Sequence, residues 1–435
     1  MPPFVREAAV VAGGASAEPF ALEADRMLSS VPSNDQRYLP GKGMRPRTEP
    51  LPAAQFDWIV GSVLLITPFI AIWGIINVPL QTPTLIYTVL LYFASGLGIT
   101  AGYHRLWSHK AYDAAWPLEL FLALSGAAAM EGSGRWWCRN HRAHHKFTDT
   151  PKDPYNVRRS LLWAHIGWML VKQNKNEVGY ADITDLDENK ILQWQHRNYP
   201  LLVLLCGVAV PWLTAGLLWG DWWGGYFYCV ILRLVFIHHS TFFVNSLAHY
   251  LGNQPYSDMH TAFDSFITAV LSLGEGYHNY HHEFPQDYRN GIKWYHYDPT
   301  KWFIVACSYV GLAYNLKFIP KNEIDKAKLQ MSQNALDEHK ALLEFGKTLS
   351  KDLPVFTRQQ VRTEAASGRS LVIVSNRVYD ASKFVDVHPG GRQTLLKHVG
   401  EDVTPLFRGD TGEHIHSKFA IATLKRMLVG QVAQE

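Results

Sequence analysis

Residues 56–78, 83–103, 199–219 and 222–250 are apolar stretches, each long enough to cross the hydrocarbon core of a bilayer, which takes about 20 helical residues. A chain inside lipid must satisfy its own backbone hydrogen bonds, so such stretches are predicted to be helices. The segment Asn77-Val78-Pro79-Leu80-Gln81-Thr82-Pro83 and the pair Gly220-Asp221 leave room only for tight reversals. The four spans therefore form two hairpins, with both termini on one side. Between the hairpins, Arg105 to Arg197 carries thirteen Lys and Arg, and the short turns carry none. The positive-inside rule makes that side cytosolic.

Of 435 residues, 18% are charged, with 41 Lys and Arg against 38 Asp and Glu; neither a disordered chain nor a nucleic-acid binder has this balance. Aromatic residues make up 13%, a loading that suits membrane interfaces. The cysteines Cys138, Cys206, Cys229 and Cys307 form no CxxC pair, so a disulfide scaffold is not expected. Residues 1–50 are expected to be a flexible cytosolic tail without a cleaved signal peptide. Residues 116–130 and 302–316 are apolar but short, and are expected to lie along or dip into the interface. Residues 51–316 form the membrane domain, residues 317–350 read as a helical linker, and residues 351–435 read as a small α+β domain. In that domain, Leu371-Val-Ile-Val374 and Arg377-Val-Tyr379 flank Ser375-Asn376 as a strand pair. The expected fold is thus an all-α membrane domain of four transmembrane helices with a cytosolic helical cap, followed by a small α+β domain.

Twenty histidines are the second anomaly, and they cluster. His104 and His109, then His141, His144 and His145, then His278, His281 and His282 form three groups, joined by Asn245 and His249. Residues three or four apart share a helix face, so the second and third groups and the Asn245/His249 pair can each point one way. His104 and His109, five apart, stand about 140° apart on an ideal helix and need a helix end or a bend. His104 follows the second span and His249 closes the fourth, so all nine rings reach the cytosolic side. Nine imidazoles exceed the coordination number of one ion and suggest two, and imidazole suits Fe, Cu, Ni and Zn alike. Asn245 could hold a metal-bound water. Asp149, Asp153, Glu275 and Glu283 are candidates to accept the second N–H of ligating rings. His238, His239 and Arg233 lie too deep in the fourth span for this and are expected to be bonded within the bundle; His165 and His260 are near enough to support it.

In the tail, His388-Pro-Gly-Gly391 makes a tight turn that fixes a ring and lets a planar ligand approach, and His416 follows 28 residues on. A second imidazole would complete bis-histidine ligation of a haem, which favours electron transfer. His414 rivals His416 for that place.

These motifs resemble those of the membrane acyl-CoA Δ9-desaturases of the stearoyl-CoA type, in the fungal arrangement with a C-terminal cytochrome b5 domain. The family's HxxxxH, HxxHH and HxxHH boxes match His104/His109, His141/His144/His145 and His278/His281/His282, and its NSxAH element matches Asn245 and His249. The b5 pattern HSxxA matches His416 and not His414, pairing it with His388. Spacing between these two is longer than in ordinary cytochrome b5, and the tail carries twelve Lys and Arg against nine Asp and Glu where free cytochrome b5 is acidic. The resemblance implies a non-haem di-iron centre, haem b and a bent acyl tunnel. It also implies O2-dependent insertion of a cis double bond into stearoyl- or palmitoyl-CoA in an endoplasmic reticulum membrane. Electrons would come from a separate NADH-cytochrome b5 reductase, since no GxGxxG motif stands in this chain. Candidate contacts to the coenzyme A phosphates are Arg139, Arg142, Lys146, Arg158, Arg159 and Lys172, and Trp168 matches a tunnel-lining position. The alternative is another membrane di-iron oxidase, an alkyl or sterol hydroxylase.

Overall fold

The computed structural model describes residues 55–174, 177–343, 353–410 and 416–433. The 1–50 tail, most of the segment joining the linker to the tail domain, and the loop carrying Glu413 and His414 lie outside them. The described residues divide into two compact units, one ending at Ser332 and the other starting at Gln333.

In the first unit four helices have the length and composition to span a membrane: α1 (Trp58–Asn77), α2 (Thr82–Ser108), and the two spans Tyr199–Trp219 and Trp222–His249. Between the hairpins lie α3 (Trp116–Ala128) and α4 (Gly134–Phe147); the third and fourth spans are α5 and α6. Asp57 caps α1 by accepting from the backbone of Ile59 and Val60. Most of the apolar side chains of α1 and α5 face outward, as a lipid-facing helix requires. Helix α6 is the most enclosed span and packs against the other three. Its N-terminus is tied to the first hairpin by the buried Asp221, which accepts from Gly224 N at 2.8 Å and from Thr84 Oγ1 at 2.5 Å. Arg233 is buried inside α6 without a carboxylate partner. It donates to Cys229 O, Ser95 Oγ, Ala128 O and Gly207 O at 2.8–3.0 Å, which satisfies the guanidinium as an intramembrane cation requires.

The second half of α2, Gly98–Ser108, is π-helical. A Cβ at Gly98 would lie 2.2 Å from Gly126 N, so a glycine here is what lets α3 cross the widened turn at backbone distance. Helix α3 buries Leu118, Leu122 and Ala123 in the same core as Tyr103 and Trp107 of α2. The last elements of this unit are α7 (His278–Glu283), α8 (Pro299–Tyr309) and α9 (Lys321–Ala341), with α9 running past the division between the units. A short antiparallel pair, β1 (Asp113–Ala114) and β2 (Ala313–Tyr314), ties the end of α2 to the segment after α8.

The second unit contains β3 (Val355–Phe356), α10 (Arg358–Ala366), β4 (Leu371–Val374), β5 (Arg377–Asp380), α11 (Lys418–Arg426) and β6 (Leu428–Val432). The strands form one sheet in the order β3-β6-β5-β4. The β4–β5 hairpin turns at Ser375 and Asn376, both at positive φ (51° and 60°), the geometry that matches strand twist in a two-residue loop. The four cysteines are free.

Candidate metal centre

The π-helical turn answers the five-residue spacing. Its bonds run from i+5 to i, His109 N donates to His104 O at 3.2 Å, and residues five apart share a face. The rings of His104 and His109 stand 4.9 Å apart. Helix α4, capped by Ser133 at Trp136 N, presents His141, His144 and His145; α7 presents His278, His281 and His282; the end of α6 presents His249.

The nine rings divide into two groups. His104, His109, His141, His145 and His281 form one, and His144, His249, His278 and His282 the other; within each, the ligand nitrogens lie within 4.8 Å of one another. The division keeps His104 and His109 together and cuts across both HxxHH motifs. On α4 and α7 the i,i+4 pairs His141/His145 and His278/His282 stay together, while His144 and His281 cross to the opposite group. In the five-ring group the Nε2 atoms of His104 and His281, His109 and His141, and His281 and His145 lie 2.8–3.0 Å apart. In the four-ring group the separations of His144–His282, His278–His249 and His282–His278 are 3.1–3.2 Å.

The outward nitrogens fix the chemistry of the inward ones. His104 Nδ1 lies 2.9 Å from Glu275 Oε2, His144 Nδ1 2.9 Å from Asp153 Oδ1, and His249 Nδ1 2.9 Å from Thr261 Oγ1. Thr261 is in turn anchored on Asp149, to which it donates from Oγ1 at 2.6 Å and from its backbone N at 2.7 Å. Nδ1–H directed at a carboxylate leaves Nε2 as a bare lone pair. Burial first, and the crowding of rings second, hold His109, His141, His145, His278, His281 and His282 well below the ordinary imidazole value, so they are neutral. Lone pairs facing one another at 3 Å repel unless a cation lies among them. Nitrogens that share an ion at right angles with bonds of about 2.1 Å stand about 3.0 Å apart, so both groups fit a metal. Burial alone would raise Glu275, but Arg105, which donates to it at 2.8 Å, and His104 outweigh burial and hold it at about 2.

Asn245 lines two cavities beside this centre. One, of about 220 Å³, is lined mostly by apolar side chains of α1, α4 and α6 together with Trp168 and Tyr155. The other, about 40 Å³, is bordered by His104, His141 and Glu275. Trp137, Thr241 and Asn245 line both. Trp168 stacks on Trp136 with ring centroids 6.4 Å apart, on the wall of the larger cavity.

Other candidates are scattered. Arg142 is taken up internally, donating to Trp107 O, Ser108 O and Asp185. Arg159 lies over the ring of Trp163 and donates to Pro151 O, Arg158 stands 3.9 Å from Asp149, Arg139 donates to Asn140 Oδ1, and Lys172 is exposed. His238 Nε2 donates to Ala129 O at 3.1 Å, within the bundle. His165 bonds Ser246 Oγ and His239, both at 2.9 Å, and supports neither ring group. Glu283 bonds no ring nitrogen among the described contacts. Sequence reasoning passed over Thr261, which carries no local signal, and Glu131, which had one: a carboxylate directly after an apolar run. Glu131 is 5% exposed on the larger cavity's wall, accepts from Thr241 Oγ1 at 2.8 Å, and leaves Oε2 buried without a partner.

In the second unit a Cβ on Gly390 would meet the His388 ring at 3.0 Å, so the Pro-Gly-Gly turn packs against the imidazole. His388 Nδ1 is buried without a partner. His416 directs Nδ1 to Phe407 O at 3.1 Å and stacks on the Phe407 ring. Exposed apolar side chains, Val387 and Phe419 among them, lie next to these histidines in sequence. Donors and apolar surroundings of this kind fit a haem.

Four spans carrying two buried polyhistidine groups, joined to a cytochrome b5-like unit, define a class of membrane metal oxidoreductase. Residues 81–317 match the family described as fatty acid desaturase, and residues 357–433 match the cytochrome b5-like heme/steroid binding domain. The chain is 48% identical to the "Probable acyl-CoA desaturase" of Schizosaccharomyces pombe, covering 86% of this chain and 77% of that protein. It is 45% identical to "Acyl-CoA desaturase 1" of Saccharomyces cerevisiae (82% and 70%) and 36% identical to the human "Stearoyl-CoA desaturase" (63% and 78%). The chain belongs to the fatty acid desaturase family.

Proposed function

We propose that this chain is an acyl-CoA Δ9-desaturase that inserts a cis double bond into a saturated long-chain acyl-CoA, with the haem domain as its electron donor. The observation that carries the reading is the pair of polyhistidine groups, of which the five-ring group borders the smaller of two cavities through His104 and His141, that cavity sharing Trp137, Thr241 and Asn245 with the larger apolar one. The names of its relatives supply the acyl-CoA.

His104, His109, His141, His145 and His281 would hold one iron, and His144, His249, His278 and His282 the other, with Asn245 on a bound water. Bound there, the pair supplies the oxidising power that removes two hydrogens from unactivated methylenes. Overall, the saturated chain, O2, two electrons and two protons give the olefin and two waters. The apolar cavity would bind the chain through burial, at about 0.8 kcal/mol per methylene, without polar contacts. The shared wall of Trp137, Thr241 and Asn245 would bend it there, so that the distance from the thioester to the bend sets which carbons reach the irons. Arg139, Arg158, Arg159, Trp168 and Lys172 remain proposed contacts for substrate. Glu275 and Asp153 keep His104 and His144 in the Nδ1–H form, and Thr261 orients His249. His388 and His416 would hold haem b, which supplies electrons singly from an external NADH-dependent reductase.

The protein would reside in the endoplasmic reticulum membrane with both metal sites and both termini cytosolic. The test is product analysis by mass spectrometry with stearoyl-CoA, O2, NADH and added reductase. Oleoyl-CoA is expected, and none from His281→Ala. A hydroxylated product would instead assign the chain to the hydroxylases.

A further inference from the structure

A tenth histidine stands beside the four-ring group. The ring of His260 lies 5.0 Å from that of His282, the same separation as between His144 and His282 within the group. It is close enough to His144 and His278 for a charge on one ring to be felt at the other. The backbone around it is clamped. Gln254 Nε2 donates to His260 O and to Ala262 O, and the adjoining Thr261 is fixed on Asp149 while it holds His249 Nδ1. His260 Nδ1 is used locally, as acceptor for Ala262 N at 3.3 Å, and Nε2 is buried with no partner. A buried, unsatisfied imidazole nitrogen costs free energy and calls for an explanation. None of its neighbours supplies a hydrogen bond, and the group beside it has one imidazole fewer than its twin.

We propose that His260 is a fifth nitrogen donor for the metal held by His144, His249, His278 and His282. This rests on the two-metal reading above and goes beyond it, because the motifs assign that site four rings and an Asn245-held water. His260 Nε2 lies outside the group of nitrogens within 4.8 Å, and Nδ1, while it accepts from Ala262 N, leaves the ring proton on Nε2; ligation therefore requires rotation of the ring on its clamped backbone, release of Ala262 N and a shift of that proton to Nδ1. The loop thus gives the poorer site a ligand that can be engaged or released, where the five-ring site is complete.

The experiment is titration of the metal-stripped full-length protein with Co(II), followed by ligand-field absorption and by competition with a chelator, for wild type, His260→Leu and His260→Gln. Wild type is expected to take two equivalents. In His260→Leu the first should bind as in wild type and the second about 10-fold or more weaker, in the range seen when a supporting residue of a metal site is lost. Its Co(II) bands should change in intensity, a signature that packing alone does not give, and His260→Gln should recover part of the affinity. Wild-type affinity and spectrum for both equivalents in His260→Leu would overturn the proposal while leaving the two-metal site standing. Equal weakening of both equivalents in both variants would also overturn it, giving the loop a purely structural role. Fewer than two equivalents in wild type would overturn the two-metal reading itself.

Discussion

Glu131→Gln should change how stability depends on pH. Burial, opposed by hydrogen bonds from Thr241 and Trp137, pushes the carboxyl from its ordinary 4.5 up to about 8. The sign follows from proton counting: below pH 4.5 folded and unfolded chains both carry the proton, and the residue has no pH effect. Between 4.5 and 8 only the folded state holds it, so stability falls as pH rises, at about 1.36 kcal/mol per pH unit. Over the whole window the loss reaches about 5 kcal/mol, and between pH 5.5 and 7.5 it is about 2.7 kcal/mol. Glutamine keeps an acceptor for Thr241 and cannot ionise. At roughly 2 °C per kcal/mol, the melting temperature of the variant relative to wild type should rise by about 5 °C between those pH values. Above pH 8 a carboxylate on the wall of an apolar cavity should also raise KM for acyl-CoA in wild type but not in the variant. Thermal unfolding in detergent at pH 5.5, 6.5, 7.5 and 8.5 reads the first effect. Parallel curves for the two proteins would refute the reasoning, because a glutamate that ionises at its ordinary value leaves no gap to widen.

Three further outcomes are expected. Asp153→Ala removes the acceptor 2.9 Å from His144 Nδ1 and should lower the affinity of the four-histidine site 10- to 100-fold, read as metal retained after chelator dialysis; full retention would show that the carboxylate does not support the ligand. Arg233→Met removes the donor to Ala128 O and Gly207 O inside the bundle, at about 1–3 kcal/mol for each buried group left unpaired, and should sharply reduce the folded yield in size-exclusion profiles; an unchanged profile would mean the network contributes nothing. His388→Ala and His416→Ala should each lose the haem absorption band and His414→Ala should keep it, so loss in His414→Ala would reassign the second axial ligand.

The spans and both hairpins were legible because a bilayer-length apolar run has few alternatives, and the β4–β5 hairpin because Ser375-Asn376 between β-rich segments carries turn chemistry. The nine histidines stood out for the same reason: their spacings place rings on shared faces. What local spacing could not yield was their division, since His144 and His281 cross between groups according to how α4 and α7 face each other. The His104/His109 pair required a widened helix turn, and the glycine contact that permits it depends on Gly126, 28 positions away from Gly98. Arg142 read as a phosphate contact because its partner, Asp185, is remote in sequence and becomes a neighbour only on folding. Glu131, Thr261 and His260 matter through what lies across a cavity or a loop from them, which no one-dimensional pattern records.

The most direct measurement is the ratio of iron to haem in purified protein, by elemental analysis against the haem chromogen. Two polyhistidine irons and one haem iron predict three irons per haem, falling toward one when His141 and His144 are both replaced by alanine. A ratio of one in wild-type protein that still desaturates acyl-CoA would contradict the assignment of the chemistry to the nine imidazoles.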